Sequence, residues 1–288
     1  MDTTTRIEQA LVGAIQQAEQ PGCPPKLVAA MRHAVFPRGA RIRPRICLAV
    51  ASACGDSSPS SSTAAATAIE LLHCASLVHD DLPCFDDADI RRGRPSVHRA
   101  FGESLAVLTG DALIVLAFQT LARISPAPGH LGSLMLSISA GVGTPCGIVA
   151  GQAWECESMV DLSRYHQLKT GALFAASTMA GAAAADADPA PWRALGEKIG
   201  EAFQVADDIR DVTETSAELG KPAGRDAALS RPSAVRDLGL EGSVQRLEQL
   251  VGGAIASIPP CPGAAELRAL IVLEAKRLVP GKLAQRAA

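Results

Sequence analysis

The sequence predicts an all-α protein, with roughly ten helices forming one domain over residues 1–288 around a central cavity. Hydrophobic residues make up 48% of the chain and aromatic residues only 3%. The core must therefore consist of Ala, Leu, Val and Ile, which favours close-packed helices. Apolar residues recur at helical spacing, and no alternating series predicts a sheet.

The predicted helices follow one another along the whole chain, separated by Pro and Gly. The first covers residues 4–19, and Pro24 and Pro25 open the second. The later ones are an apolar run at 46–53, a helix from 63 that is ended only by Gly93-Arg94-Pro95, and runs at 105–124, 131–150 (interrupted at 143–147), 171–185, 192–211, 231–257 and 264–279. Residues 96–103 are predicted to be a connector.

Composition excludes several classes of protein. A net charge of −3 gives no electrostatic footprint for nucleic acid. Eight cysteines without a C-x-x-C pair, behind a polar N-terminus without a secretory signal, indicate a reducing, cytoplasmic location. The apolar stretches 113–121 and 171–185 are too short or too weakly apolar for a transmembrane segment, so we expect buried helices.

An acidic stretch at residues 80–92 is the first candidate site. Five aspartates are followed there by Arg91 and Arg92, directly after an apolar helix. Burying unpaired carboxylates is costly, so a bound cation is expected. Cys84 and His79 do not form a zinc pattern, and carboxylates suit Mg²⁺ or Ca²⁺. A solvated acidic loop is the alternative.

A second acidic group favours the metal hypothesis. Asp207 and Asp211 lie four residues apart near the end of another long helix, on one face. Two such groups on facing helices can hold Mg²⁺ ions together with substrate phosphates. The basic residues Arg43, Arg91, Arg92, Lys169 and Lys221 are suitable counter-charges for those phosphates. The sequence thus predicts a magnesium-dependent enzyme acting on diphosphates, with apolar helices for an apolar tail.

Several motifs resemble those of the trans-type polyprenyl diphosphate synthases. They are Asp-Asp-x4-Asp at 80–86 followed by Arg-Arg-Gly-Arg-Pro at 91–95, Phe-Gln-x2-Asp-Asp-x2-Asp at 203–211, Gly-x-Arg-x-Arg-Pro at 39–44, Lys-Thr-Gly at 169–171, and Gly-Lys at 220–221 with Gly-x-Asp at 224–226. The resemblance runs in order from about residue 28 to 235.

The resemblance implies a chain-elongating condensation of prenyl diphosphates. About three Mg²⁺ ions would be held by Asp80, Asp86 and Asp207, with Asp81, Asp208 and Asp211 as indirect ligands. The allylic diphosphate would be bound by Arg91, Lys169, Thr170, Gln204 and Lys221, and isopentenyl diphosphate by Arg43, His73 and Arg92. Asp80, Asp86, Asp207, Arg91 and Lys169 would be the catalytic residues, the cavity would hold the substrate, and a homodimer is expected.

One departure from the family pattern and one feature of the predicted tail channel bear on the substrates. Ala40 stands where relatives carry a lysine, which removes one cation unless Arg38 or Arg41 replaces it. Ala75 and Ser76, five and four residues before Asp80, would form the upper wall of the tail channel. Because an aromatic at position 75 is typical of bacterial farnesyl-type relatives, alanine there implies a longer, C20 geranylgeranyl product, as in bacterial geranylgeranyl diphosphate synthases that supply carotenoid pathways.

Three alternatives remain open. A farnesyl diphosphate synthase would make the C15 product. A terpene cyclase can share an acidic cluster and a helical fold, but it would not need Arg43, His73 and the Lys169-Thr170 pair. A non-catalytic subunit that modulates another prenyl synthase is compatible with Ala40.

Overall fold

The structure, a computed structural model, describes residues 2–36, 39–123, 130–157, 167–214 and 233–278. Twelve α-helices cover most of these ranges and confirm the all-α prediction. They are α1 (Thr3–Ala18), α2 (Pro25–Val35), α3 (Ile42–Ala53), α4 (Pro59–Asp80), α5 (Val97–Phe101), α6 (Glu103–Arg123), α7 (His130–Val142), α8 (Ile148–Ala153), α9 (Ala172–Ala184), α10 (Arg193–Thr213), α11 (Ala234–Ala256) and α12 (Ala264–Leu278). The expectation of one domain over residues 1–288 extends beyond the described residues and stays a prediction.

Short elements of three further kinds lie between some of the helices in the described part of the chain. Two 3₁₀ turns cover Trp154–Cys156 and Ala190–Trp192, and a π-helical turn covers Gln167–Gly171. A small antiparallel hairpin pairs β1 (Ile90–Arg91) with β2 (Arg94–Pro95).

Helix α4 ends earlier than the sequence suggested. Its last residue is Asp80, and the chain then turns back instead of continuing as a helix to Arg92. Pro83 explains the end of the helix, since it lacks an N–H and disfavours the helical conformation of the residue before it. The hairpin and α5 occupy residues for which the sequence predicted continued helix and a connector.

Helix α4 lies at the centre of the bundle. Most of its residues are buried, on all sides of the helix. One apolar cluster joins it to α1, α6, α7 and α9, and a second joins α3 and α9 to α10, α11 and α12. A helix that is buried all round belongs to the core, so the residues at its C-terminal end have a rigid support.

Helix α6 is the most apolar long helix. It has the length and the composition of a membrane span. Its most apolar stretch has a mean hydropathy of 1.8, and 39% of that stretch is buried in the protein. A core helix of a globular protein can have the same length and composition. Since α6 packs along α4, its buried side belongs to the core, in agreement with the sequence-based expectation for residues 113–121.

Small residues allow the central helices to approach closely. A Cβ atom added at Gly196 of α10 would lie 2.4 Å from Ala175 Cα in α9. A Cβ atom at Gly181 of α9 would lie 2.3 Å from the carbonyl oxygen of Cys47 in α3. These contacts link α3, α9 and α10 backbone to backbone, which explains how a core poor in aromatic residues reaches close packing.

Replacing Gly196 with Ala should therefore destabilise the fold by about 1–3 kcal/mol, because the two helices must move apart. Gly13→Ala in α1 is the matched control, since no atom lies within 4 Å of its added Cβ. That variant should gain about 0.5–1 kcal/mol from helix propensity. Chemical denaturation of both variants measures the difference, and equal stabilities would contradict the close-approach argument.

Candidate active site

The neighbouring carboxylates of Asp80 and Asp81, at the end of α4, have different partners. Asp80 lies with Asp86 and Glu155 in an acidic cluster whose ligand oxygens are all within 4.8 Å of one another. The turn after α4 brings Asp86 back, and its N–H donates to the Asp80 carbonyl oxygen at 2.9 Å. Asp81 is 2% exposed and instead accepts from Arg91 Nε at 3.0 and 3.2 Å.

Lys169 supplies a positive charge to the acidic cluster. Its Nζ lies 3.1 Å from Asp80 Oδ1 and 2.7 Å from Glu155 Oε1. Gln152 Nε2 also donates to Asp80 Oδ1, at 3.2 Å. The sequence singled out Lys169 but assigned no role in the site to Gln152 and Glu155. Their spacing of three residues, which puts both on one helical face, was the available signal.

The acidic cluster fits a hard divalent cation. All three of its side chains offer carboxylate oxygens, the ligands that Mg²⁺ prefers. The ammonium group between Asp80 and Glu155 shows that this position is already suited to a cation. Asp207, the third metal ligand expected from the sequence, is not one of the three clustered carboxylates.

The second acidic motif contains two different kinds of aspartate. Asp207 and Asp211 are half-buried on α10, whereas Asp208 is 4% exposed. Asp208 accepts from Gln204 Nε2 at 3.0 Å and from the backbone N–H of Ala234 at 2.7 Å. Its carboxylate thus contacts the start of α11, and the expectation that it is an indirect metal ligand has no support in these contacts.

A group of basic side chains, the arginine pocket, is formed by Arg43, Arg92 and His73. Arg43 Nη1 lies 3.4 Å from His73 Nε2, and its guanidinium carbon is 4.3 Å from the centre of the Phe174 ring. Burial, together with the charge of Arg43, holds the pKa of His73 well below its ordinary value. Burial also lowers the pKa of Arg43 to about 10. At neutral pH His73 is therefore uncharged and Arg43 charged.

Two donors of the arginine pocket have no hydrogen-bond partner among the described residues. They are Arg43 Nε and Arg92 Nη1, both buried. Buried polar atoms without a partner are rare in proteins and cost stability. Two charged donors in this condition indicate a site that binds an anion.

Arg41 belongs to the framework behind this pocket. It is 3% exposed, and its guanidinium contacts Glu8 at 2.9 Å, Glu70 at 2.5 Å and the Val35 carbonyl oxygen at 2.8 Å. The idea that Arg41 replaces the lysine missing at Ala40 is therefore wrong, because all three contacts point it into the protein. Arg38 lies outside the described residues.

The remaining predicted site residues occupy distinct places. Thr170 Oγ1 donates to Gln204 Oε1 at 3.1 Å, which joins the π-helical turn to α10. Ala75 is 1% exposed and belongs to the apolar cluster around α4, whereas Ser76 is partly exposed and donates to the His73 carbonyl oxygen at 2.9 Å. Lys221 lies outside the described residues.

An all-α bundle with an acidic cluster at the end of its central helix and an arginine pocket beside that helix defines a class of helical proteins with one site suited to a cation and one suited to an anion. The sequence model of the polyprenyl synthetase family matches residues 24–256. The chain therefore belongs to the polyprenyl synthetase family.

Individual relatives agree with this assignment. The chain is 54% identical, over 98% of both sequences, to a geranylgeranyl diphosphate synthase of Cereibacter sphaeroides. It is 51% identical, over 97% of both, to a geranylgeranyl diphosphate synthase of Rhodobacter capsulatus. The structure of a Helicobacter pylori geranyltransferase complexed with magnesium and isoprenyl diphosphate is similar, with a TM-score of 0.82, 30% identity and 96% of each chain covered.

Removing the ammonium group from the acidic cluster should strengthen metal binding in the absence of substrate. Lys169→Met is expected to bind Mg²⁺ roughly tenfold more tightly, because a competing unit charge about 4 Å away contributes about 1–4 kcal/mol. Titration calorimetry without diphosphate measures this. Lys198→Met is the control, since Lys198 contacts the Gly253 carbonyl oxygen and not the cluster. Unchanged affinity in Lys169→Met would show that the lysine does not compete.

Proposed function

We propose that the protein is a magnesium-dependent prenyltransferase that condenses isopentenyl diphosphate with allylic diphosphates, up to farnesyl diphosphate, to give geranylgeranyl diphosphate. One observation carries this proposal: an acidic cluster lies at the C-terminal end of α4, and the arginine pocket, to which α4 contributes His73, lies beside the helix about two turns earlier. Two such sites can hold one metal-bound diphosphate and one metal-free diphosphate. The identity to the two bacterial geranylgeranyl diphosphate synthases supports the product assignment.

The allylic diphosphate is assigned to the acidic end of α4. Asp80, Asp86 and Asp207 are the proposed ligands for about three Mg²⁺ ions, with Glu155 close to the first two. When bound, magnesium would neutralise diphosphate charge and make it a better leaving group. The cations and polar groups proposed to bind this diphosphate are Arg91, Lys169, Thr170, Gln204 and Lys221.

Isopentenyl diphosphate is assigned to the arginine pocket. The unpaired N–H groups of Arg43 and Arg92 would donate to its phosphate oxygens. His73, held neutral, keeps one ring N–H as a donor. Ala40 leaves this pocket with fewer cations than the family pattern provides, so we expect a comparatively high KM for isopentenyl diphosphate.

The reaction then needs orientation and electrostatic stabilisation rather than a nucleophilic side chain. The bond between the allylic carbon and the diphosphate oxygen breaks, and the electron pair leaves with the diphosphate. The double bond of isopentenyl diphosphate forms the new carbon–carbon bond. This leaves an electron-deficient carbon in the isopentenyl unit. A proton from the carbon next to it passes to the departing diphosphate, and the electron pair of that C–H bond restores a double bond in the product.

The direct test is to incubate the purified protein with Mg²⁺, labelled isopentenyl diphosphate and each allylic primer, and to size the products. We expect a C20 product. A C15 product would instead establish a farnesyl diphosphate synthase, and a cyclic hydrocarbon would indicate a cyclase. No incorporation with any primer would refute the synthase proposal and favour a modulating subunit.

Product length gives a sharper test of the proposed tail channel. Ala75→Tyr should shorten the product from C20 to C15, because the ring would fill the space about 8 Å from the metal site along α4. Chromatography of the extracted products measures the ratio. The control is Ala64→Tyr, a substitution of another buried alanine more than two turns further from Asp80. An unchanged C20 product from Ala75→Tyr would refute this assignment.

We further propose a homodimer formed through α6 and α7. Large apolar side chains are exposed on both helices, including Val115 at 56% and Leu136 at 73%. Exposed apolar patches of this kind favour association. Light scattering should give twice the mass of the chain, and Leu136→Asp should shift it toward the monomer.

The cytoplasmic location remains part of the proposal, in keeping with eight free thiols.

A further inference from the structure

We propose that Asp208 is a positioning residue for the allylic diphosphate, which acts by fixing the side-chain amide of Gln204. This role differs from metal ligation, which the position of Asp208 in an aspartate-rich motif suggests. The inference rests on the proposed function, because it assigns Gln204 to the allylic diphosphate.

The two oxygens of Asp208 have separate partners. Oδ1 accepts from Gln204 Nε2 at 3.0 Å, one helical turn earlier on α10. Oδ2 accepts from the backbone N–H of Ala234, the first residue of α11, at 2.7 Å. With 4% exposure, the carboxylate is enclosed between these two helices. Both oxygens therefore accept from protein donors.

These bonds leave only one orientation for the Gln204 amide. An ionised carboxylate accepts hydrogen bonds and cannot donate them, so the NH₂ group of Gln204 must face Asp208. The amide oxygen then faces Thr170, whose hydroxyl donates to it at 3.1 Å. One N–H of the amide remains for a phosphate oxygen. Without Asp208 the amide can turn by about 180° and present its oxygen, which repels an anion.

The start of α11 offers a matched control for this role. Ser233 caps the same helix, since its Oγ accepts from the Arg236 N–H at 3.4 Å. Removing that hydroxyl weakens the first turn of α11 but leaves the contact between Asp208 and Gln204 intact. A purely structural role of Asp208 would therefore be imitated by Ser233→Ala.

The experiment compares steady-state kinetics of Asp208→Ala and Ser233→Ala with varied allylic and isopentenyl diphosphate. We expect Asp208→Ala to raise the allylic KM about tenfold and the isopentenyl KM less than twofold. Ser233→Ala should leave both values within twofold. If Asp208→Ala changed the allylic KM by less than twofold, or changed both KM values equally, the positioning role would be overturned.

Two further variants keep the test decisive if Asp208→Ala folds poorly. In Asp208→Asn one amide oxygen must serve two donors, so the allylic KM should still rise at least threefold. The double variant Gln204→Ala/Asp208→Asn should be no worse than Gln204→Ala alone, because Asp208 acts through Gln204. If Gln204→Ala and Asp208→Asn raised the allylic KM independently, so that their factors multiplied in the double variant, the proposal would be overturned. A wild-type protein without prenyltransferase activity would instead refute the proposed function.

Discussion

The arginine pocket depends on the buried carboxylate of Glu70. This carboxylate lies 2.5 Å from Arg41 Nη1 and 3.7 Å from Arg92 Nη2, and its charge favours the charged form of Arg43. An unpaired guanidinium in such an enclosed place would be costly, so these cations require an acidic partner. Because Glu70 belongs to the buried central helix, the arginines are held at a fixed position relative to the core.

The same helix also fixes the distance between the two halves of the site. Glu70 precedes Asp80 by ten residues, which is about 15 Å along a helix axis. His73 lies between them, within reach of Arg43. Asp80 at the end of this helix and Glu70 further back therefore keep the acidic cluster and the support of the arginine pocket at a fixed spacing. Catalysis by orientation needs this rigidity.

The features predictable from the sequence were those set by local spacing. Helical periodicity predicted the bundle, and the run of acidic residues indicated the place where Asp80 and Asp86 cluster, whereas the role of Asp207 stays a prediction. Contacts that depend on tertiary packing were not predictable. Glu155 joins Asp80 only because the end of α8 packs beside α4, and Arg41 turns inward from a left-handed backbone conformation with φ +50°. The contact of Asp208 with the start of α11 also depends on tertiary packing, and it separates this buried carboxylate from the half-buried Asp207.

The central claim is that two diphosphates bind beside α4 in two different ways. A crystal structure with Mn²⁺, an allylic diphosphate analogue that cannot ionise, and isopentenyl diphosphate tests it most directly. We predict anomalous peaks about 2.1 Å from carboxylate oxygens of Asp80 and Asp86, and the isopentenyl diphosphate bound to Arg43 and Arg92. Metal ions bound away from Asp80 and Asp86, or an isopentenyl diphosphate outside the arginine pocket, would contradict the account.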